Sequence, residues 1–182
     1  MELNKVIAGC IAQKISAQET LYNTYKEVLF GLSLKYCRNE AEAEDNLHNA
    51  FITIFGKIHE YKGAGSFEGW MKRITINMAI SSYKKQYQLV PIHDEFQDTE
   101  VEESEVQHTV DELIALVQAL PNQYRLVFCL YELDDYSHKE IAGLLDISES
   151  TSKSNLHRAK HILKEKIQKK NFHNNSQFSN GK

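Results

Sequence analysis

The sequence predicts an all-α protein of two small helical domains joined by an acidic flexible linker. Three observations carry this. Only 8 Gly and 2 Pro occur in 182 residues, so little interrupts helix. Apolar residues recur at helical spacing before and after a charged central stretch. That stretch, from Gln86 to Glu112, has no Lys or Arg but nine acidic residues, a composition that disfavours a packed core. The expected boundaries are 1–85, a linker 86–110, a second domain 111–168 and a polar tail 169–182.

In the first domain, Leu21, Tyr25, Val28, Leu29, Leu32 and Tyr36 form one stripe, predicting a helix over about 17–37. Asn39 is the expected cap of the next helix, whose apolar side is Ala43, Leu47, Ala50, Phe51, Ile54 and Ile58. The glycines of "GAGS", 63–66, break the pattern. Ser66 should cap a third helix with Glu68 at its positive end. Phe67, Trp70, Met71, Ile74 and Met78 are its expected buried stripe.

The second domain restarts at Leu113, Ile114, Val117 and Leu120. Pro121 ends that helix and opens another, carried by Val127, Phe128 and Tyr131. Ser137 and Glu140 make a capping box. Ile141, Leu144 and Leu145 face a core, Asp146 takes the left-handed turn position, and Ser148 caps a final basic helix. Ser150, Thr151, Lys153, Ser154, His157 and Arg158 fall on its early turns. A helix-turn-helix places those turns in the major groove, where hydroxyls and Arg meet phosphates or base edges. Ser152 stands where such units commonly have Val or Ile. That is a deficit on the order of 1 kcal/mol unless a local hydrogen bond compensates.

The formal net charge is −4, unusual for a DNA reader. The charge is segregated. Lys57, Lys62, Lys72, Arg73, Lys84 and Lys85 outnumber Glu60 and Glu68, and the stretch 150–170 has seven Lys and Arg against Glu165. Phosphates respond to the local field, not to the total. The cysteines, Cys10, Cys37 and Cys129, are odd in number and far apart, fitting a reducing cytoplasm. No zinc spacing, phosphate loop or nucleophile motif appears, so no metal, cofactor or enzymatic activity is expected. No apolar run is long enough to insert in a membrane, and no signal peptide is expected.

Both halves resemble one family. "AEAEDNLHNAFITIFGKI", "YKGAGSFEGWMKRITINMAISSYKK" and "LPNQYRLVFCLYELDDYSHKEIAGLLDISESTSKSNLHRAK" are similar, in that order, to segments of bacterial RNA polymerase sigma factors. The superfamily is sigma-70 and the group extracytoplasmic-function (ECF). The resemblance covers about 21–85 and 113–166. It implies that Asp45, His48 and Asn49 meet the clamp helices of the largest polymerase subunit. It implies that Tyr61, Phe67, Arg73, Asn77 and Lys84 serve the −10 element. The −35 element falls to Ser150, Thr151, Lys153, Ser154, His157 and Arg158. Promoter DNA, core RNA polymerase and an anti-sigma factor are the implied partners. His48-Asn49 replaces the family's frequent Gln-Glu, and Asn155 stands where an Arg phosphate contact is common. The other class of function is a helix-turn-helix regulator with an N-terminal sensor or dimerisation domain, which would bind duplex DNA without polymerase.

Overall fold

The computed structural model describes residues 3–87 and 109–179. The chain divides into two compact units, 1–86 and 87–182. The described elements are helical. The acidic linker expected at 86–110 lies, apart from its ends, outside the described residues.

The first unit contains α1 (Leu3–Ile11), α2 (Ile15–Tyr36), α3 (Glu40–Lys57), a 3₁₀ turn (Ile58–Glu60) and α4 (Phe67–Tyr87). α2 buries Leu21, Leu29, Leu32 and Tyr36 as the stripe predicts, but Val28 is 42% exposed. Asn39 caps α3 by accepting from the Glu42 N–H at 2.9 Å, and Arg38 pairs with Glu42. Ser66 caps α4 by accepting from the Gly69 N–H at 3.0 Å.

The core of this unit joins Leu21, Leu29, Phe51, Ile54, Ile58, Phe67 and Met71. The buried face of α4 is wider than expected, adding Thr75, Ile76, Ala79 and Ile80, while Trp70, Ile74 and Met78 are half-buried. A polar thread runs through the interior. The Asn46 amide donates to Ser33 Oγ at 2.9 Å and to the Thr75 carbonyl at 3.3 Å. Ser33 and Thr75 donate in turn to the carbonyls of Leu29 and Met71. Each of these buried groups has a partner, as burial demands.

α1 was not expected. The sequence shows only a short apolar patch there, yet Leu3–Ile11 is helical and buries Cys10. Burial pushes the Cys10 thiol up from its ordinary pKa.

The second unit contains α5 (Val110–Gln118), α6 (Asn122–Phe128), a π turn (Cys129–Leu133), α7 (His138–Leu145) and α8 (Glu149–Ser179). Thr109 and Glu112 form a capping box at α5. Leu113, expected in the α5 core face, is 43% exposed, and the anchor is Leu120. The α5 end is closed by cations, which suit carbonyl ends of helices. Buried Arg125 donates to the Gln118 and Leu120 carbonyls and to Asn122, and Lys166 donates to the Ala119 carbonyl at 3.0 Å.

Tyr124, Leu126, Val127, Cys129 and Leu130 fill the α6 side of the core. Tyr131, expected beside them, is 38% exposed instead. The π turn holds an extra residue per turn and rotates Tyr131 outward. There its ring stacks on His138, centroids 4.3 Å apart. α8 continues to Ser179, through most of the stretch read from sequence as a polar tail.

Candidate nucleic-acid interface

The helix-turn-helix is built as its local sequence dictates. The Ser137 Oγ accepts from the Glu140 N–H, and the Glu140 carboxylate accepts from the Ser137 N–H at 2.9 Å. Asp146 ends α7 in the left-handed region, φ 56°, with its N–H on the Ala142 carbonyl. Ile147 donates to the same carbonyl at 3.1 Å. Ser148 then caps α8 by accepting from the Thr151 N–H at 3.0 Å. α7 packs against α8 with Ile141 and Leu145 buried, and Ala159 and Leu163 of α8 join the core of Leu120 and Tyr124.

This leaves Ser150, Lys153, Ser154 and His157 exposed on the first turns of α8, with Thr151 half-buried. The Ser150 and Thr151 hydroxyls lie 2.8 and 2.7 Å from Ser148 Oγ. Both hydroxyls are tied to the cap. Arg158 is half-buried, its guanidinium 3.4 Å from the Tyr124 hydroxyl. Lys160 of the same basic block pairs with Glu132 at 2.8 Å.

The buried side of α8 carries two polar side chains, Ser152 and Asn155, among Leu156, Ala159 and Leu163. Ser152 is fully buried and lies 2.9 Å from His138 Nδ1. The compensating hydrogen bond therefore exists. Asn155 is 3% exposed and its amide nitrogen has no partner. It faces the interior, so the surface position assumed by comparing it with an Arg phosphate contact is corrected.

In the first unit the loop 62–66 is framed by aromatics. Gly63 and Gly65 have φ of 75° and 84°, a region other residues rarely enter. The Tyr61 hydroxyl donates to the Gly65 carbonyl at 2.8 Å, fixing the loop. Tyr61 meets Phe67 edge-on at 5.0 Å and Trp70 at 5.7 Å, and Phe67 stacks on Trp70 at 5.5 Å. Phe67 is 3% exposed, so it backs Tyr61 and presents no open face. Arg73 and Asn77 are exposed one turn apart on α4, and Lys84 is half-buried further along.

Asp45, His48 and Asn49 are exposed on α3. Asp45 and His48 border a cleft of about 490 Å³ with Tyr22, Lys26 and Phe30 of α2. Ile52, 58% exposed, continues the same face, a residue that sequence reasoning left out because the face was sought among polar positions.

The sequence matches the model of Sigma-70 region 2 over residues 21–88 and that of Sigma-70, region 4 over residues 111–163. The chain belongs to the sigma-70 family. The ECF RNA polymerase sigma factor SigE of Mycolicibacterium smegmatis is 25% identical over 162 residues, which are 83% of this chain and 62% of that protein. SigM of Bacillus subtilis, also an ECF sigma factor, is 26% identical over 151 residues, 80% of this chain and 92% of that one. Among solved structures, the sigma factor RpoE in complex with the anti-sigma factor NepR from Bartonella quintana shares the fold. Its TM-score is 0.53 at 15% identity, covering 82% of this chain and 96% of that one.

The region 2 match spans the loop, α3 and α4, and the region 4 match spans the helix-turn-helix. α1 lies before both. Among the described residues no helix is long and apolar enough to cross a membrane.

Proposed function

We infer that this chain is an alternative-type ECF sigma factor, which binds core RNA polymerase and directs promoter-specific initiation of transcription. The carrying observation is the pairing of two exposed surfaces in one chain. One is the aromatic-framed loop with Arg73 and Asn77, within the region 2 match. The other is the first two turns of α8, within the region 4 match. Each alone would fit many DNA-binding proteins.

The roles follow from chemistry. Opening a duplex costs about 1.4 kcal/mol per base-pair step. Aromatic stacking on an unpaired base returns about 1–3 kcal/mol. Tyr61 offers that surface with Phe67 behind it. Asn77 can pair with a base edge, and Arg73 and Lys84 can hold phosphates. Ser150, Thr151, Lys153, Ser154 and His157 serve the −35 duplex, with Arg158 at the margin. Asp45, His48 and Asn49 meet the clamp helices of the polymerase. The 22 residues between α4 and α5 span at most about 79 Å, more than two turns of DNA at about 34–36 Å each. The two units can thus occupy separate promoter elements. The protein works in the cytoplasm as a regulator without catalysis of its own, and an anti-sigma factor is its expected inhibitor.

The test is transcription in vitro with cognate core polymerase and a genomic promoter library. Defined start sites that depend on the added chain are expected. Their absence with folded protein would sink the reading. Tight promoter binding without core would favour an ordinary helix-turn-helix regulator.

A further inference from the structure

We propose that α1, which precedes the matched region 2 segment, is a positioning element that sets the pose of the loop at Tyr61–Ser66 and so tunes −10 opening. The proposal rests on the −10 reading of that loop. α1 packs against α2 and against the 3₁₀ turn Ile58–Glu60. That turn ends at Tyr61, whose N–H donates to the Ile58 carbonyl at 3.3 Å. Ile58 is 1% exposed and shares one core with Cys10, Phe67 and Met71, against which Val6 and Ile7 also pack. A displacement of α1 therefore reaches the residue that anchors Tyr61, because close-packed interiors transmit strain.

The α1–α2 crossing leaves no slack. A Cβ on Gly9 would lie 2.6 Å from the Ala17 Cβ. Ala17 Cβ is fixed to its backbone, so the helices would have to part. The connection is short. Lys14 donates to the Gly9 carbonyl at 3.0 Å, and Gln13 turns the chain at φ 54°. Gly9 is thus a spacing device, and one methyl group there moves α1 against the turn.

The chain contains one tryptophan, Trp70, inside the ring cluster with Tyr61 and Phe67. Its emission reports the loop without polymerase. The experiment compares full-length parent, Gly9→Ala, Ala17→Gly, Gly9→Ala with Ala17→Gly, and Val6→Ala. Trp70 emission, affinity for core enzyme, and permanganate-detected opening on duplex and −10-premelted templates are measured for each.

Gly9→Ala should shift Trp70 emission and keep its affinity for core. It should slow duplex opening roughly tenfold, the scale on which overpacking is felt. Premelting should recover most of that loss. Moving the methyl back, with Ala17→Gly in the same chain, should restore emission and opening together. Val6→Ala adds no atom and should act in the same direction, by roughly threefold.

Parental emission and opening in Gly9→Ala would overturn the proposal. So would a defect that follows core affinity or that the compensating change does not rescue. Should Gly9→Ala fold poorly, parental opening by Val6→Ala overturns it equally. A parent that opens promoters without −10 dependence would remove the −10 reading itself. A −10-dependent parent with unaffected variants removes only the role of α1.

Discussion

The first unit and helix α8 of the second bury polar side chains in opposite ways. In the first, Asn46 bridges Ser33 and the Thr75 carbonyl, and both Ser33 and Thr75 are themselves bonded. Three helices are pinned by one closed network. In the second, the recognition helix buries Ser152 with a single partner, His138, and Asn155 with an open donor. A satisfied buried network rigidifies and specifies a core, whereas an unmet donor costs the full desolvation of that group. The lesson is that the unit framing the loop is locked, while the helix proposed to meet duplex DNA is held less firmly.

This contrast can be broken by substitution. Asn46→Ala should be the most damaging change. It removes two buried hydrogen bonds and leaves a cavity, so the first unit should lose about 2–3 kcal/mol. Trp70 fluorescence during urea unfolding follows that unit alone, since the only tryptophan lies there. A loss under about 0.5 kcal/mol would mean that the network is not a lock.

Asn155→Leu should do the reverse. Removing an unpaired buried donor should stabilise the second unit by about 1–2 kcal/mol. Far-UV circular dichroism of the unfolding transition that Trp70 does not follow reads this. Destabilisation would show that Asn155 has a partner in solution and that the contrast is overstated. Ser152→Ala should cost the second unit about 1 kcal/mol, by leaving His138 without its hydroxyl. No change there would mean that the stacking on Tyr131 holds His138 unaided.

The smallest expected effect sharpens the DNA face. Lys153→Ala should reduce the salt dependence of −35 binding by a slope of about 0.9, one phosphate contact. Arg158→Ala should reduce it by less, because its guanidinium lies against the Tyr124 hydroxyl. Equal slopes for both would show that Arg158 swings free when DNA binds.

Much of this was legible because it is local. Asn39, Ser66, Ser137 with Glu140, Asp146 and Ser148 each act within a few residues of their own position. Reading those positions needs only cap and turn chemistry. What escaped was decided by distant neighbours. Asn46, Ser33 and Thr75 look like surface residues until three helices bring them together. Tyr131 left the core because of a change of helical register, which apolar spacing does not reveal. α1 escaped although Val6, Ile7 and Cys10 fall at helical spacing and pack in the core, because nine residues are too short a run for that pattern to stand out. On the DNA face, the exposed positions of α8 were legible from the capping of Ser148, whereas the inward turn of Asn155 was not.

The central claim is that the two units do separate work on one promoter. Permanganate footprinting on duplex and −10-premelted templates tests it most directly, with Asn77→Ala and Lys153→Ala compared in the full chain with core polymerase. Asn77→Ala should bind the −35 duplex normally and open it poorly, with recovery on the premelted template. Lys153→Ala should bind the −35 duplex weakly, and premelting should not restore its −35 contact. Normal duplex opening by Asn77→Ala, or normal −35 binding by Lys153→Ala, would contradict the account.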